Sequence, residues 1–339
     1  MFSIGDFMIK KALKDPRKVF RHIVKLLNLS KINLNSKILP DLVYTMAQTG
    51  ACTDECLAKG ALPMPVHFYS PVPDINDLKK RGVFGKKSKL NGIKFREKEQ
   101  LSFLVEIGKQ FGKECEWPYD QTNKPEDFYL NNGCFSYGCA ASLHCIIRHY
   151  KPKNIIEIGS GFSSRIISAA LDKNSSEGNG CNYEIIDPYP TEITEKKLRR
   201  VNCVTKERVE LVDPDIFNRL KENDILFIDS GHTTRIGGDV NFLYLDVLPA
   251  LEKGVIVHIH DIALPYEYPE IYYTNPAFRV FWTEAYLLQA FLCFNSAFEI
   301  LLAMNFLQTD HKDVFCRVFP KSNLDRNWGS GSFWIRKTR

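Results

Sequence analysis

The sequence NIIEIGSGFSS, which spans Asn154–Ser164, decides the fold of this chain. It begins as an apolar run that contains the acidic Glu157, continues through Gly159–Gly161, and leads into an apolar segment, 166–171, with helical character. A short apolar run, a glycine turn and a helix predict the first strand–turn–helix unit of an open α/β sheet. Glycines suit such a turn because the backbone must adopt dihedrals that a side chain forbids and must approach a ligand closely. The first N–H groups of the helix would then point at the polar part of that ligand.

The rest of the chain alternates between strand-like and helix-like segments. Strands separated by helices imply a mostly parallel sheet with right-handed crossovers. We therefore expect an α/β, Rossmann-like doubly wound fold with a mostly parallel, seven-stranded sheet and an N-terminal helical and extended extension. The predicted strands are 154–158, 183–187, 208–212, 224–229, 254–261 and 297–303, with a final edge strand at 332–337. The predicted helices are 97–115, 136–150, 163–173, 191–200, 239–252 and 278–293.

The residues that precede the sheet divide into two parts. Residues 1–35 contain a basic amphipathic helix, in which apolar residues between 20 and 27 recur at helical spacing among lysines and arginines. Such a helix suits an anionic membrane surface, a partner protein or packing on its own domain. Residues 36–130 form an extension with a proline-rich segment, 61–74, which cannot form a regular helix. We expect this extension to pack on a sheet domain of residues 131–339.

The positive charge of the chain is concentrated at its start. The 339 residues include 45 Lys and Arg against 40 Asp and Glu, a formal net charge of +5. Residues 1–31 contain eight basic and two acidic residues and thus account for +6. A protein that binds nucleic acid usually spreads basic charge over its binding face. We therefore expect no nucleic-acid partner, whereas peripheral membrane contact through residues 1–31 and a homo-oligomeric state both stay open.

Cysteine usage and hydropathy bear on the compartment. The ten cysteines are scattered, without the spacing of a disulfide framework, and no signal peptide is recognisable. The most apolar long stretch, 286–307, contains Glu299 and two asparagines, whereas a membrane span needs about 20 residues almost free of such groups. We expect reduced thiols, no membrane span and a cytoplasmic location, either free or peripheral at the inner membrane face.

Polar side chains are concentrated where the predicted strands end. Asp187 closes the second strand, Asp229–His232 follows the fourth, and His258–Asp261 closes the fifth. Ligands of open α/β sheets bind beside the carboxyl ends of the strands, near the switch in strand order. Carboxylates and imidazoles at the ends of buried strands are costly unless they bind something. This edge is the predicted functional site, although His258 itself is interpreted as a core histidine.

The residues at this edge together resemble a known family. A nicotinamide-binding turn would prefer a third glycine where this chain has Ser164. Instead, the pattern Glu157-x-Gly159-x-Gly161, followed by Asp187 and Asp229, resembles class I S-adenosylmethionine-dependent methyltransferases. The segments IIEIGSGFSS, LFIDSGH and VIVHIHDI, followed by PYEYP, resemble more specifically a bacterial branch that is often associated with surface-glycan and natural-product gene clusters. The resemblance covers about residues 130–337 and the extended segment HFYSPVPD, residues 67–74.

This resemblance implies a position for each part of the cofactor. The glycine turn would lie against the methionine part of S-adenosylmethionine, with Glu157 near its amino group. Asp187 would accept the ribose hydroxyls, and Asp213 or Asp215 would lie near the adenine. The predicted cofactor-binding residues are Glu157, Gly159, Ser160, Gly161, Phe162, Ser163, Asp187, Asp213 and Asp229.

The resemblance also implies a base and a metal site. Some related sugar O-methyltransferases bind a divalent cation through the Asp that ends strand 4 and an acidic pair after strand 5, with a His three residues after that Asp as general base. Asp229 and His232 match this spacing, whereas His260-Asp261 replaces the acidic pair. The predicted ligands are therefore Asp229, His260 and Asp261. The cation could be Mg, Mn, Fe or Zn, and mixed His and Asp ligands suit the last three better than Mg.

The expected function is O-methylation of a hydroxyl on a sugar, glycan or related small molecule, with His232 as general base and Asp229 beside it. His67 and Tyr69 in the proline-rich segment, and Tyr266 and Tyr268 after the fifth strand, are predicted to contact the acceptor, although all four could instead serve packing. Three alternatives stay open: a metal-dependent oxygenase or hydrolase on the same sheet, a nicotinamide oxidoreductase, and a non-catalytic cofactor-binding protein.

Overall fold

The computed structural model describes residues 38–276, 279–324 and 329–339, so the predicted amphipathic helix at 1–35 lies outside the described residues. The chain divides into two compact units, one up to Arg81 and the other from Gly82 onward. In the first unit, Met46, Cys52 and Cys56 form a small buried cluster. Residues 61–74 contain neither helix nor strand, as predicted from their prolines. The helices of this unit are α1 (Ile38–Thr49), α2 (Thr53–Leu57) and α3 (Ile75–Lys80).

The second unit is built on a seven-stranded sheet with the order β3-β2-β1-β4-β5-β7-β6. The first five strands along this order are parallel, and β7 is antiparallel to both of its neighbours. The predicted doubly wound, mostly parallel sheet is therefore confirmed. The strand order reverses between β1 and β4, which is where such sheets bind ligands. The strands are β1 (Asn154–Ile158), β2 (Asn182–Ile186), β3 (Val201–Thr205), β4 (Ile225–Ile228), β5 (Ile256–Ile259), β6 (Phe298–Ala303) and β7 (Phe333–Lys337).

Helices cover the sheet, and none among the described residues is long and apolar enough to cross a membrane. α4 packs against α5 and β6 inside the second unit, so the structural boundary comes before the predicted one at residue 130. A π-helical turn, Leu243–Val247, joins α8 to α9. The helices are α4 (Glu97–Phe111), α5 (Tyr137–Tyr150), α6 (Phe162–Ser176), α7 (Glu192–Lys196), α8 (Asp239–Phe242), α9 (Leu248–Ala250), α10 (Ile271–Thr274), α11 (Glu284–Leu292), α12 (Met304–Asp310) and α13 (Lys312–Val318). Short 3₁₀ helices are Gly112–Glu114, Val209–Leu211, Pro214–Arg219 and Pro320–Leu324.

The predicted third strand at 208–212 is wrong. Its alternation of polar and apolar residues is typical of a strand, but Val209–Leu211 is a 3₁₀ helix that buries Val209 and leaves Leu211 57% exposed. The third strand is instead Val201–Thr205, which among the described strands pairs with β2 alone, at the edge of the sheet. An edge strand is buried less than a central one, so its sequence carries a weaker apolar signal.

The predicted position of the last strand is also wrong. The C-terminal segment was expected at the edge, but β7 lies between β5 and β6, and β6 forms the edge. Phe333, Trp334 and Ile335 are consecutive and almost completely buried. Consecutive buried residues are typical of an interior strand with both faces covered, whereas a half-exposed strand alternates.

A buried carboxylate fixes the starts of the two central strands. Asp224, just before β4, accepts hydrogen bonds from the backbone N–H groups of Lys153 and Asn154, both at 2.8 Å, and of Lys221 at 2.9 Å. These bonds satisfy backbone donors that would otherwise be buried without a partner. They tie the start of β1 to the start of β4, at the end of the strands opposite the glycine turn.

A second buried carboxylate, that of Glu157, binds the residues that follow the glycine turn. Glu157 is 0% exposed inside β1. It accepts hydrogen bonds from the hydroxyls of Ser163 at 2.6 Å, Ser164 at 2.8 Å and Tyr183. Burial raises the pKa of Glu157 from its ordinary 4.5 to about 7, although the three hydroxyls act in the opposite direction. The side chain thus links β1, β2 and the first turn of α6.

Replacement of this carboxylate predicts a change in the pH dependence of stability. A group whose pKa is raised by folding stabilises the native state most below its unfolded pKa, and this contribution is lost as the pH rises through the folded pKa. Between about pH 4.5 and pH 7 the wild-type protein should therefore lose up to about 3 kcal/mol relative to Glu157→Gln. Urea unfolding of both proteins across this range measures the difference. Parallel pH profiles would contradict the expected titration of Glu157.

Candidate active site

The glycine turn after β1 is shaped by its contact with β4. Gly159 has a φ of +77°, and its N–H donates to the carbonyl of Ile186 at 3.0 Å. A Cβ on Gly159 would lie 2.0 Å from the carbonyl oxygen of Asp229, so any side chain would collide with the backbone. At Gly161 a Cβ would meet no heavy atom within 4 Å. The turn is therefore closed on its β4 side and open where α6 begins, which fits a cradle for a ligand beside a helix N-terminus.

Asp187, at the end of β2, is held by the same turn. Its Oδ2 accepts hydrogen bonds from the Ser160 N–H at 2.9 Å and the Ser160 hydroxyl at 2.6 Å, and its Oδ1 accepts from the Tyr189 N–H at 2.7 Å. Each carboxylate oxygen accepts about two hydrogen bonds. Oδ1 therefore keeps one acceptor position, and rotation of the Ser160 hydroxyl would release another on Oδ2. This is compatible with the predicted acceptance of two ribose hydroxyls.

The other predicted cofactor residues differ in what they contact. Both oxygens of Glu157 are engaged by hydroxyls below the turn, and Ser163 is one of these donors. Phe162 packs edge-on against Tyr129 with ring centroids 5.3 Å apart. The roles of these three residues toward the cofactor stay predictions.

Asp213 is not at the end of a strand. Because β3 ends at Thr205, Asp213 lies beyond the following 3₁₀ helix, and it begins the next one by accepting a hydrogen bond from the Asp215 N–H at 3.0 Å. Both side chains are exposed. Neither Asp213 nor Asp215 directly follows a strand, and a role of either residue near the adenine stays a prediction.

The ends of β4 and β5 bring two carboxylates and an imidazole together. The ligand atoms of Asp229, His232 and Asp261 all lie within 4.8 Å of one another. Nε2 of His232 is 3.2 Å from Oδ1 of Asp229 and 3.7 Å from Oδ2 of Asp261. His232 and Asp261 each have a φ of 55°, a left-handed conformation that is rare for residues other than glycine and is often found at functional sites. The predicted proximity of these three residues is present in the structure.

The charges of this cluster set its protonation state. Burial would lower the pKa of His232, but hydrogen bonds with Asp229 and Glu284 outweigh it and raise the pKa well above 6.5. Burial would raise the pKa of Asp229, but the charge of His260 and the hydrogen bond with His232 lower it to about 2. Near neutral pH, with no ligand bound, the cluster therefore holds the His232 imidazolium beside the Asp229 carboxylate.

The two histidines of β5 and its end differ from His232. His258 lies in the core, as predicted: its Nε2 is 2.9 Å from the Ser332 hydroxyl, and burial lowers its pKa well below 6.5. His260 is not one of the three clustered groups, although its Nε2 lies 3.7 Å from Oδ1 of Asp261. Its ring stacks on Phe135 with centroids 4.8 Å apart. The geometry thus groups His232, rather than the predicted His260, with the two carboxylates.

A cavity of about 610 Å³ lies beside Asp261. This volume is within the range of sites for small molecules. Its lining includes His260 and Asp261, four aromatic rings (Tyr119, Phe135, Tyr272, Trp282) and the side chains of Asn131 and Asn132. Trp282 also packs against His232, with ring centroids 4.5 Å apart. The cavity is therefore adjacent to the cluster and is the candidate acceptor site.

Tyr266 and Tyr268, which were predicted to contact the acceptor, are not among the residues that line this cavity. Tyr268 is buried, and its hydroxyl accepts a hydrogen bond from the Ala285 N–H at 3.0 Å. The Tyr266 hydroxyl donates to Asp310. His67 and Tyr69 belong to the first unit, where Tyr69 is 82% exposed, and their contact with an acceptor stays a prediction. Tyr266 and Tyr268 thus make structural contacts, and their contact with an acceptor stays a prediction.

Comparison with known proteins agrees with this geometry. A sequence model of the family described as "Methyltransferase domain" matches residues 156–262, from β1 to the residue after Asp261. A protein of Archaeoglobus fulgidus described as uncharacterized is 33% identical over 179 residues, which cover 49% of this chain and 77% of that protein.

Two solved structures of cmcI are similar at a lower level. The SAH form has a TM-score of 0.35 and 17% identity, and the match covers 66% of this chain and 98% of that one. The Mg-SAM form has a TM-score of 0.34 and 16% identity, with coverage of 68% and 95%.

The methyltransferase sequence model matches the part of the chain that contains the glycine turn between β1 and α6 and, from Ile156 in β1 onward, the five parallel strands of the sheet. Residues 156–262 therefore form a methyltransferase domain, as the resemblance to class I S-adenosylmethionine-dependent methyltransferases implied.

Proposed function

We propose that this methyltransferase acts on a hydroxyl of a sugar, glycan or related small molecule, with His232 as general base and a divalent cation held by Asp229 and Asp261. The observation that carries this proposal is the cluster of an imidazole nitrogen and two carboxylates within 4.8 Å, next to a cavity lined by aromatic rings. Both lie at the ends of β4 and β5, next to the glycine turn after β1 in the strand order.

The chain's own residues would orient the cofactor and hold the proton. When bound, S-adenosylmethionine supplies an electrophilic methyl group on a positively charged sulfur. The open side of the turn at Gly161 leaves space for the part of S-adenosylmethionine that contacts the protein backbone. The carboxylate of Asp187 fits its ribose. An alcohol becomes a good nucleophile only as it loses its proton, and Nε2 of His232 is the atom that would take it. Asp229, 3.2 Å away, would stabilise the resulting imidazolium.

The carboxylates, rather than the imidazole, are assigned to the cation. Nδ1 of His232 is 2.8 Å from Oε2 of Glu284, so Nε2 alone faces the cluster and cannot be ligand and base at the same time. A cation held by Asp229 and Asp261 would lower the pKa of a coordinated hydroxyl and offset the negative charge that keeps a proton on Nε2. We place His260 in the acceptor wall, because its ring stacks on Phe135 beside the cavity.

The lining of the cavity favours an uncharged acceptor group. Aromatic rings provide flat apolar faces for a ring-shaped ligand, and the amides of Asn131 and Asn275 can both donate to and accept from hydroxyls. The side chain of Asn132 instead holds the loop, because it bonds the backbone of Tyr129, Cys134 and Phe135. Among the described lining residues there is no lysine or arginine that would pair with a phosphate or carboxylate. The part of the acceptor that enters the cavity is therefore expected to be a neutral, hydroxyl-bearing ring.

An acceptor screen tests the proposed reaction. Purified protein with S-adenosylmethionine and Mn²⁺ or Mg²⁺ should release S-adenosylhomocysteine in the presence of neutral hexoses, methyl glycosides or nucleotide sugars. Mass spectrometry should find the methyl group on a hydroxyl oxygen. Exclusive methylation of amines, carboxylates or carbon centres in a matched panel would contradict the proposal.

Two glycines of the turn should respond differently to the same substitution. Gly159→Ala forces a Cβ against the Asp229 carbonyl at positive φ and should lower the free energy of unfolding by about 2 kcal/mol or more. Gly161→Ala places its Cβ in open space and should largely preserve stability, but weaken S-adenosylmethionine binding at least about tenfold by filling the cradle. Urea unfolding and calorimetric titration separate the two effects. Unchanged cofactor affinity in a folded Gly161→Ala protein would place the cofactor elsewhere.

Substitutions in the cluster should separate the cation from the base. Asp261→Asn should weaken Mn²⁺ binding by about 10- to 100-fold, because it removes a charged ligand. His232→Asn should leave Mn²⁺ affinity within about threefold and lower turnover by about 10²- to 10⁴-fold. Electron paramagnetic resonance of bound Mn²⁺ and release of S-adenosylhomocysteine measure the two properties. Equal loss of Mn²⁺ affinity in both variants would make His232 a ligand instead of the base.

A further inference from the structure

A buried glutamate that the proposed reaction does not itself require contacts the base. Glu284 is the first residue of α11 and is 0% exposed. Its Oε2 lies 2.8 Å from Nδ1 of His232, a residue 52 positions earlier in the chain. The backbone N–H groups of Thr283 and Glu284 also donate to the His232 carbonyl, at 2.9 and 3.1 Å. The start of α11 therefore holds both the backbone and the side chain of His232.

Further contacts fix the same loop. The Thr234 N–H donates to the Thr283 hydroxyl at 2.8 Å, and the two threonine hydroxyls lie 2.9 Å apart. Trp282 packs on the imidazole ring of His232. These contacts support the left-handed backbone of His232, a conformation that persists only when its surroundings determine it. The ring therefore has a defined orientation, with Nδ1 toward α11 and Nε2 toward Asp229.

Burial of Glu284 is costly for the fold. Its Oε1 has no hydrogen-bond partner among the described residues, and a buried charged group without full pairing lowers stability. Leucine at this position would avoid that cost. Glutamate makes two polar interactions here that an apolar residue cannot make: the 2.8 Å contact with Nδ1 of His232 and an interaction with the buried hydroxyl of Tyr244.

We propose that Glu284 is a positioning residue that keeps the proton of neutral His232 on Nδ1, so that the lone pair of Nε2 faces the acceptor hydroxyl. An imidazole without this partner has a competing arrangement, because Asp229 and Asp261 can accept a hydrogen bond from Nε2–H. In that tautomer Nε2 carries a proton and cannot act as a base. The catalytic part of this inference rests on the proposed function, whereas the tautomer does not.

Nitrogen NMR of ¹⁵N-histidine-labelled protein tests the tautomer directly, at a pH above the titration of His232. Signals of His232 are identified by their absence in His232→Asn. Wild-type protein should show neutral His232 protonated on Nδ1. Glu284→Gln should keep this tautomer, because the amide oxygen can still accept the Nδ1 proton, whereas Glu284→Leu should shift the proton to Nε2 beside Asp229.

The chain provides a matched control in a second histidine–glutamate pair. Nε2 of His144 lies 2.8 Å from Oε2 of Glu114, and this pair connects the 3₁₀ helix after α4 with α5. Glu114→Leu should leave the His232 tautomer unchanged. Wild-type His232 protonated on Nε2 would overturn the inference even if Glu284→Leu failed to fold, as would an unchanged tautomer in a folded Glu284→Leu protein. The expected tautomers in a protein that methylates no hydroxyl would support the positioning role and contradict the proposed function alone.

Discussion

The contact between Gly159 and the carbonyl of Asp229 is the constraint on which both halves of the site depend. β1 and β4 are neighbours at the reversal of strand order, and the Asp229 N–H donates to the Ile158 carbonyl at 2.9 Å. Gly159 has no Cβ, so the glycine turn, which we assign to the cofactor, lies directly against Asp229, which we assign to the cation. A methyl group passes from donor to acceptor over a short distance, so this close backbone packing matches what an in-line transfer requires.

Charge organises the other side of the site. Asp229 and Glu284 place carboxylates on two sides of one imidazole, which explains why the pKa of His232 is raised although burial acts against it. Glu284 also contributes to the raised pKa values of Tyr244 and Tyr268, after the larger effect of their burial. The loop of His232 and the start of α11 thus form one electrostatic unit, and the proposed cation would complete its charge balance.

The sequence predicts best what is local. β1, the turn and α6 are contiguous, and Asp229 and His232 are separated by three positions, so pattern and spacing were sufficient. Val209–Leu211 was misassigned because three residues are too few to show the three-residue period of a 3₁₀ helix, so their local alternation of apolar and polar residues resembles a strand. Glu284 carried no signal, because it falls inside the predicted helix 278–293, where an acidic residue is commonly explained by exposure to solvent. Its partner lies 52 residues away, and only the fold brings them together.

Residues on the proposed donor side could be predicted from the sequence, whereas most residues on the proposed acceptor side could not. The proposed donor side is built by the sheet, whose strands are aligned by parallel pairing and by two buried carboxylates, Asp224 at the strand starts and Glu157 next to the glycine turn. The acceptor side is built by loops: Tyr119 and Phe135 come before α5, and Trp282 comes just before α11. Loops tolerate sequence change better than strands, because their side chains support less of the core. A sheet that fixes the methyl donor can therefore serve many acceptors, and the aromatic cavity is where the specificity of this chain is expected to reside.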